Sequence, residues 1–140
     1  MNKVVEDFCE YYQEISLESL SDLDRLYSES AVFEDPLHSI QGLDEITSYF
    51  KRTLTNVTSC QFHIDEILET DKQAFVTWVM TFSHPKLNRG REIRLTGNSH
   101  LKFNEIIYYQ RDYYDLGCMI YEQIPVLSSI IGKIKTRMIS

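Results

Sequence analysis

Cysteine, proline and glycine are all scarce in this chain, and each scarcity removes a class of protein. The three cysteines, Cys9, Cys60 and Cys118, are odd in number and far apart. No Cys-x-x-Cys pair occurs, so neither a zinc ribbon nor a thioredoxin-like motif is supported. Each thiol sits among apolar neighbours and reads as a small buried side chain. Three prolines and five glycines in 140 residues leave no Pro- or Gly-rich linker and no low-complexity tract. No apolar run approaches the roughly 18 residues of a spanning helix. The acid-interrupted opening, "MNKVVEDFCEYYQE", lacks a signal-peptide core, so a cytoplasmic location is expected. The four histidines, His38, His63, His84 and His100, show no metal-ligand spacing, and neither a metal nor a cofactor is expected.

What is present suits one globular domain: 43% hydrophobic and 25% charged residues, with nine tyrosines and seven phenylalanines to build an aromatic core. The net charge of −7 is unevenly spread. Residues 1–70 carry 15 acidic and 4 basic side chains, whereas residues 71–140 carry 6 and 10. The bases are scattered rather than clustered and the whole is acidic, which argues against nucleic-acid binding.

Hydrophobic periodicity divides the chain into helices followed by strands. Val4, Phe8, Tyr11 and Ile15 share a helical face over residues 4–15. Leu20, Leu23 and Leu26 predict a second helix, and Leu43, Ile46, Tyr49-Phe50 and Leu54 a third after Gly42. Residues 31–34 form a short strand between them. From residue 58 the period drops to two, in "CQFHIDEILE" (imperfect enough to suggest a bulge), "QAFVTWVMTFS", "REIRLTGNSHLKF" and "IIYYQRDYYD". Helices first and an antiparallel meander after them give an α+β class. Asp115 reads as a helix N-cap and Pro125 as a first-turn proline. Beyond it Val126, Leu127, Ile130, Ile131, Ile134 and Met138 line one face, opposite Lys133, Lys135 and Arg137. That face would cover the sheet or a partner subunit. Its basic flank leaves contact with a membrane surface as the minor alternative.

Three stretches then carry a resemblance: "YYQEISLESLSDLDRLYSESAVFEDP", "GLDEITSYF" and "NSHLKFNEIIYYQRDYYD". Over roughly residues 4–115 the chain resembles the nuclear transport factor 2-like superfamily, which includes ketosteroid isomerase and SnoaL-like polyketide cyclases. The resemblance implies a cone of N-terminal helices packed against a strongly curved, mostly antiparallel sheet, closing on an apolar pocket. Residues 1–115 would form this domain and residues 116–140 a helical extension of it. It also implies a homodimer paired through the sheet, a small hydrophobic ligand and no cofactor. The reaction it implies is proton-transfer isomerisation or cyclisation with an Asp base. The alternatives are a non-catalytic dimeric ligand-binding or scaffold protein, and an epoxide-hydrolase-like hydrolase. Fold membership by itself selects none of them.

Residue by residue, Asp35 in "VFEDP" matches the isomerase's general base, and the spacing back from it places the oxyanion-hole tyrosine at Tyr11. The isomerase's second, protonated Asp is replaced here by Ser99 in "SHLKFN". Asp35 keeps two readings. Asp before Pro is a common turn starter, and a carboxylate facing an apolar pocket is a candidate base. Gly97 and Ser99 share the inward parity of an apolar strand, leaving room and one polar handle, or else marking a bend. By the family alignment Tyr109, Arg111 and Tyr113 point inward, and Arg111 beside Asp35 would suit epoxide hydrolysis. His38 is expected at the pocket mouth. Trp78 and Phe8 are expected as core or lining aromatics.

Overall fold

The structure, a computed structural model, describes residues 1–120 and 123–139, apart from the side chains of residues 125 and 126. Helix α1 spans Lys3–Gln13, capped by the Asn2 side chain, which accepts from the Val4 N–H. Its apolar face buries Val4, Val5, Phe8, Cys9 and Tyr12. The predicted second helix is instead a 3₁₀ segment, Glu18–Arg25. Leucines at 20, 23 and 26 recur every three residues, so a three-residue turn keeps all of them on one line toward the core. Ser16 and Ser19 close its entrance by reciprocal bonds between backbone N–H and hydroxyl, at 3.0 and 3.2 Å.

Strand β1 runs Tyr27–Glu34, longer than the four residues expected, and turns back into β2, Ser39–Gln41, which the sequence reading lacked. Gly42, at φ +96°, redirects the chain into α2, Leu43–Asn56. The meander follows as β3 (Ser59–Glu69), β4 (Gln73–Ser83), β5 (Ile93–Phe103) and β6 (Ile107–Tyr114), with the anticipated bulge in β3 between Ile64 and Ile67. The six strands form one curved, unclosed sheet in the order β2-β1-β6-β5-β4-β3. Only β1 and β6 are parallel, and their register sets Glu34 against Arg111. The first strand of the chain thereby lies beside the last, bringing the end of β1 to the end of β6.

Helices α1 and α2 cover the concave side of the sheet. Phe33, Ile46, Phe50, Ala74, Val76, Leu101, Phe103 and Ile107 are buried between these layers. Each large apolar side chain so removed from water contributes about 1.5–3 kcal/mol.

The last strand departs from the expected parity. Lys102 pairs with Tyr109 and Phe103 with Ile107, so Tyr108 is an extra residue in β6. Ile107 points inward, but beyond the bulge the inward positions are Gln110, Asp112 and Tyr114. Tyr109, Arg111 and Tyr113 face outward, the reverse of the family-based expectation.

Asp115 caps the short helix α3 (Leu116–Met119) by accepting from the Cys118 N–H, as expected. Helix α4 occupies Pro125–Ile139. Its stripe is not covered by the chain's own sheet, because Ile130 and Ile134 are about half exposed and Met138 is 81% exposed. Val126 of that stripe lies outside the described side chains. Among the described residues, no helix is long and apolar enough to cross a membrane.

Candidate functional site

A cavity of about 390 Å³ opens between α2 and the concave sheet. Its apolar wall includes Phe33, Phe50, Phe62, Trp78 and Met80, and its polar groups include Asp35, Tyr49, Asp112 and Tyr114.

Asp35 directly follows the last residue of β1, and its two carboxylate oxygens face different partners. Its Oδ1 accepts from the backbone N–H groups of Leu37 and His38, both at 2.8 Å, and its own N–H donates to the His38 carbonyl. That is an Asx turn joining β1 to β2. Its Oδ2 points the other way, into the cavity, and accepts from the Tyr49 hydroxyl at 2.5 Å. The turn therefore fixes one oxygen and presents the other. Tyr49 reaches it from the inner face of α2. Burial, then the bond to Asp35 and the Asp35 charge, raise the Tyr49 phenol far above its ordinary range. The Tyr114 phenol is raised likewise, by burial first and then by the charges of Asp35 and Asp112. Both phenols remain protonated donors at any physiological pH.

Asp112 reaches the same cavity from β6. Its Oδ1 accepts from Ser99 Oγ at 2.6 Å and from Gln110 Nε2 at 2.9 Å. Ser99 in turn accepts from Trp78 Nε1 at 2.9 Å. Gln110, completely buried, accepts from the Tyr27 hydroxyl, and Tyr27 and Tyr12 share a hydroxyl–hydroxyl bond of 2.7 Å. A connected polar network thus holds one oxygen of Asp112 from behind. Burial pushes the Asp112 carboxyl up to about 7; the bonds from Ser99 and Gln110 oppose that rise and the Asp35 charge adds to it. Near neutral pH this carboxyl exists in both its protonated and ionised forms.

The site assembled by the fold overlaps only partly with the predicted one. Asp35, His38 and Trp78 line the cavity. Ser99 is buried behind it, acting on Asp112. Tyr11 does not reach it: its hydroxyl donates to the Ser19 carbonyl at 2.8 Å and anchors the 3₁₀ segment. One residue further round the helix, Tyr12 lines the cavity instead, with its hydroxyl tied into the network. Phe8 is core, 4.3 Å centroid to centroid from Tyr12. Arg111 turns outward to Glu34, 3.8 Å away, and over the Tyr113 ring at 4.9 Å. Tyr109 also bonds Glu34, at 3.2 Å, on the outer face. These three residues therefore do not line the cavity. The room at Gly97 is filled by protein, because a Cβ there would stand 2.2 Å from the Trp78 ring.

Asp112, Tyr114 and Tyr49 were missed. No local signal marked the first two, because the extra residue Tyr108 within β6 inverts every later side chain. Tyr49 was read only as part of an apolar helix face.

Two carboxyls, two phenols and an apolar wall can accept a proton at one point and donate one at another. That capacity is the chemistry of enolisation, of intramolecular condensation and of acid-assisted water attack.

Solved structures share this architecture. An NTF2-like protein from Burkholderia pseudomallei superposes with a TM-score of 0.73 at 18% identity, over 85% of this chain and 95% of that one. A Catenulispora acidiphila protein with a ketosteroid isomerase-like fold, solved with trimethylamine, gives 0.73 at 14% identity, over 88% and 92%. An LEH-like epoxide hydrolase of M. tuberculosis gives 0.66 at 18% identity, over 84% and 79%. At such identities the likeness is one of fold. A search of curated proteins found no match. The SnoaL-like domain model matches residues 8–105. By that match the chain belongs to the SnoaL-like domain family of the nuclear transport factor 2-like superfamily.

Proposed function

We propose that this protein is a cofactor-independent acid–base enzyme acting on a small hydrophobic carbonyl compound. The observation that carries the reading is the convergence of Asp35 and Asp112, from two different strands, on one apolar cavity. Asp35 Oδ2 is the base: it exchanges its bond to Tyr49 for the α-proton of the substrate. Protonated Asp112 hydrogen-bonds through Oδ2 to the carbonyl oxygen and stabilises the negative charge that grows there. Tyr49 then donates back to Asp35 or to the substrate. Return of the proton from Asp35 to a different carbon completes an isomerisation. Attack of the enolate carbon on a second carbonyl of the same molecule, with the proton delivered to the new alkoxide, completes a cyclisation. Each removed proton has a stated destination, and no oxidant or reductant is needed.

The test uses 2-tetralone in D₂O, with deuterium entry at its α-carbons followed by NMR. Wild type is expected to exceed both buffer and the Asp35→Asn and Asp112→Asn variants by at least about tenfold, a modest share of the 10²–10⁴ that general acid–base catalysis supplies. Equal rates in all samples would leave a ligand-binding protein without this chemistry.

The outer face of the sheet suits contact with a second copy. Phe75 stacks on His100 at 4.2 Å, Lys102 sits over Tyr109, and Phe75 and Tyr113 stay 37% and 46% exposed. Light scattering on wild type and Phe75→Asp tests this pairing: a dimer that the variant splits is the expected result.

A further inference from the structure

Helix α2 carries more than Tyr49 along the cavity wall. Tyr49, Arg52, Thr53 and Asn56 follow one another at helical spacing on a single face, and all four line the cavity. At 1.5 Å per residue this ridge is about 10 Å long from Tyr49 to Asn56. Arg52 is the one Lys or Arg among the described lining residues, is solvent-exposed, and enters no ion pair among the described residues. The other end holds Asp35 and Asp112, with the His38 ring 4.9 Å from that of Tyr49, and no Lys or Arg among the described lining residues.

From this polarity we infer that the substrate is a hydrophobic keto acid, its carbonyl held between Asp35 and Asp112 and its carboxylate held by Arg52 at the rim. The inference rests on the acid–base reading of the same cavity and adds the ligand's second functional group. A free carboxylate is repelled from the inner end, where two acidic side chains face an apolar wall of low dielectric. At the rim the guanidinium fork accepts it with paired N–H donors. Thr53 and Asn56 extend that polar border on the next turn. One charged end thus orients the ligand before any chemistry. The apolar span between the two ends matches Phe50, Phe62 and Trp78.

The experiment compares 4-oxo-4-phenylbutanoate with its methyl ester by calorimetric titration at low salt. The two share an aryl ketone, and the ester lacks the charge and carries one additional methyl group. Wild type is expected to bind the acid about three- to tenfold more tightly, the range of an exposed charge-assisted contact. Arg52→Gln should erase that preference, and Arg52→Glu should reverse it. Arg52 is exposed, so these variants should fold. Equal binding of acid and ester by wild type, or a preference that survives in Arg52→Gln, overturns the keto-acid assignment. If 2-tetralone exchange still depends on Asp35 in that case, the acid–base reading stands alone. If neither probe binds and no exchange occurs, both fall.

Discussion

Ser99 and Asp112 are register partners across the β5–β6 ladder, and the serine hydroxyl donates to Asp112 Oδ1 at 2.6 Å. Ser99 stands where the resemblance to ketosteroid isomerase calls for a carboxylic acid. A carboxyl, that of Asp112, lies one strand over and in direct contact with that position. Because Ser99 and Gln110 both bind Oδ1, Oδ2 is left to the cavity.

That carboxyl makes stability depend on pH. In the unfolded chain Asp112 titrates near ~3.9, and in the folded protein at about 7. Between these values the folded state holds a proton that the unfolded state has lost. Its contribution is therefore complete below pH ~4 and falls away as pH rises through about 7. Asp112→Asn keeps the Oδ1 acceptor and removes the titration. Its melting temperature should match wild type near pH 4 and exceed it near pH 8, by up to about 4 kcal/mol of stability. A gap that stays constant across pH would refute the buried-acid assignment.

Ser99→Ala removes a bond that favours the ionised form, so the Asp112 titration should move further above 7. Carbon-13 NMR of the labelled carboxyl reads this directly. The same change leaves the Trp78 indole N–H without its acceptor, at a cost of about 1–3 kcal/mol. A titration that stays put or moves down would contradict the network as described.

Gly97→Ala tests how Trp78 is seated. A Cβ would meet three carbons of the indole ring at 2.2 to 2.6 Å. The ring must slide off the strand, breaking its bond to Ser99, and the loss should be about 1–3 kcal/mol. Trp78 is the sole tryptophan, so its emission reports the move. Unchanged emission and melting would show that the ring accommodates the methyl group without moving.

Tyr27→Phe strips one donor from Gln110, a residue with no exposed surface. An unsatisfied buried amide oxygen costs about 1–3 kcal/mol. Chemical denaturation should show that loss with an unchanged slope. A neutral effect would mean that Gln110 finds another partner.

Much of the architecture was legible because periodicity reports burial. Val4 and Phe8 on α1, and Ala74, Val76 and Trp78 on β4, had to face a core whatever the details, since exposing them forfeits the hydrophobic term. Asp35 was legible too, because Asp-Pro at the end of an apolar strand marks a turn. Leu20, Leu23 and Leu26 misled as to helix type, since a spacing of three fits both an α-turn and a 3₁₀ turn.

Sequence alone determined the helix-then-meander order, the aromatic core and Asp35 as a carboxylate at a strand end. Tertiary structure decided which carboxyl would face it. Tyr108 bulges out of β6, so the inward register passes from Arg111 to Asp112, and the parallel pairing of β1 with β6 sets that strand beside Asp35. A period-two pattern has no memory of an inserted residue, and strands far apart in sequence carry no local mark of their pairing. The partner of Asp35 was therefore written in the register of the sheet.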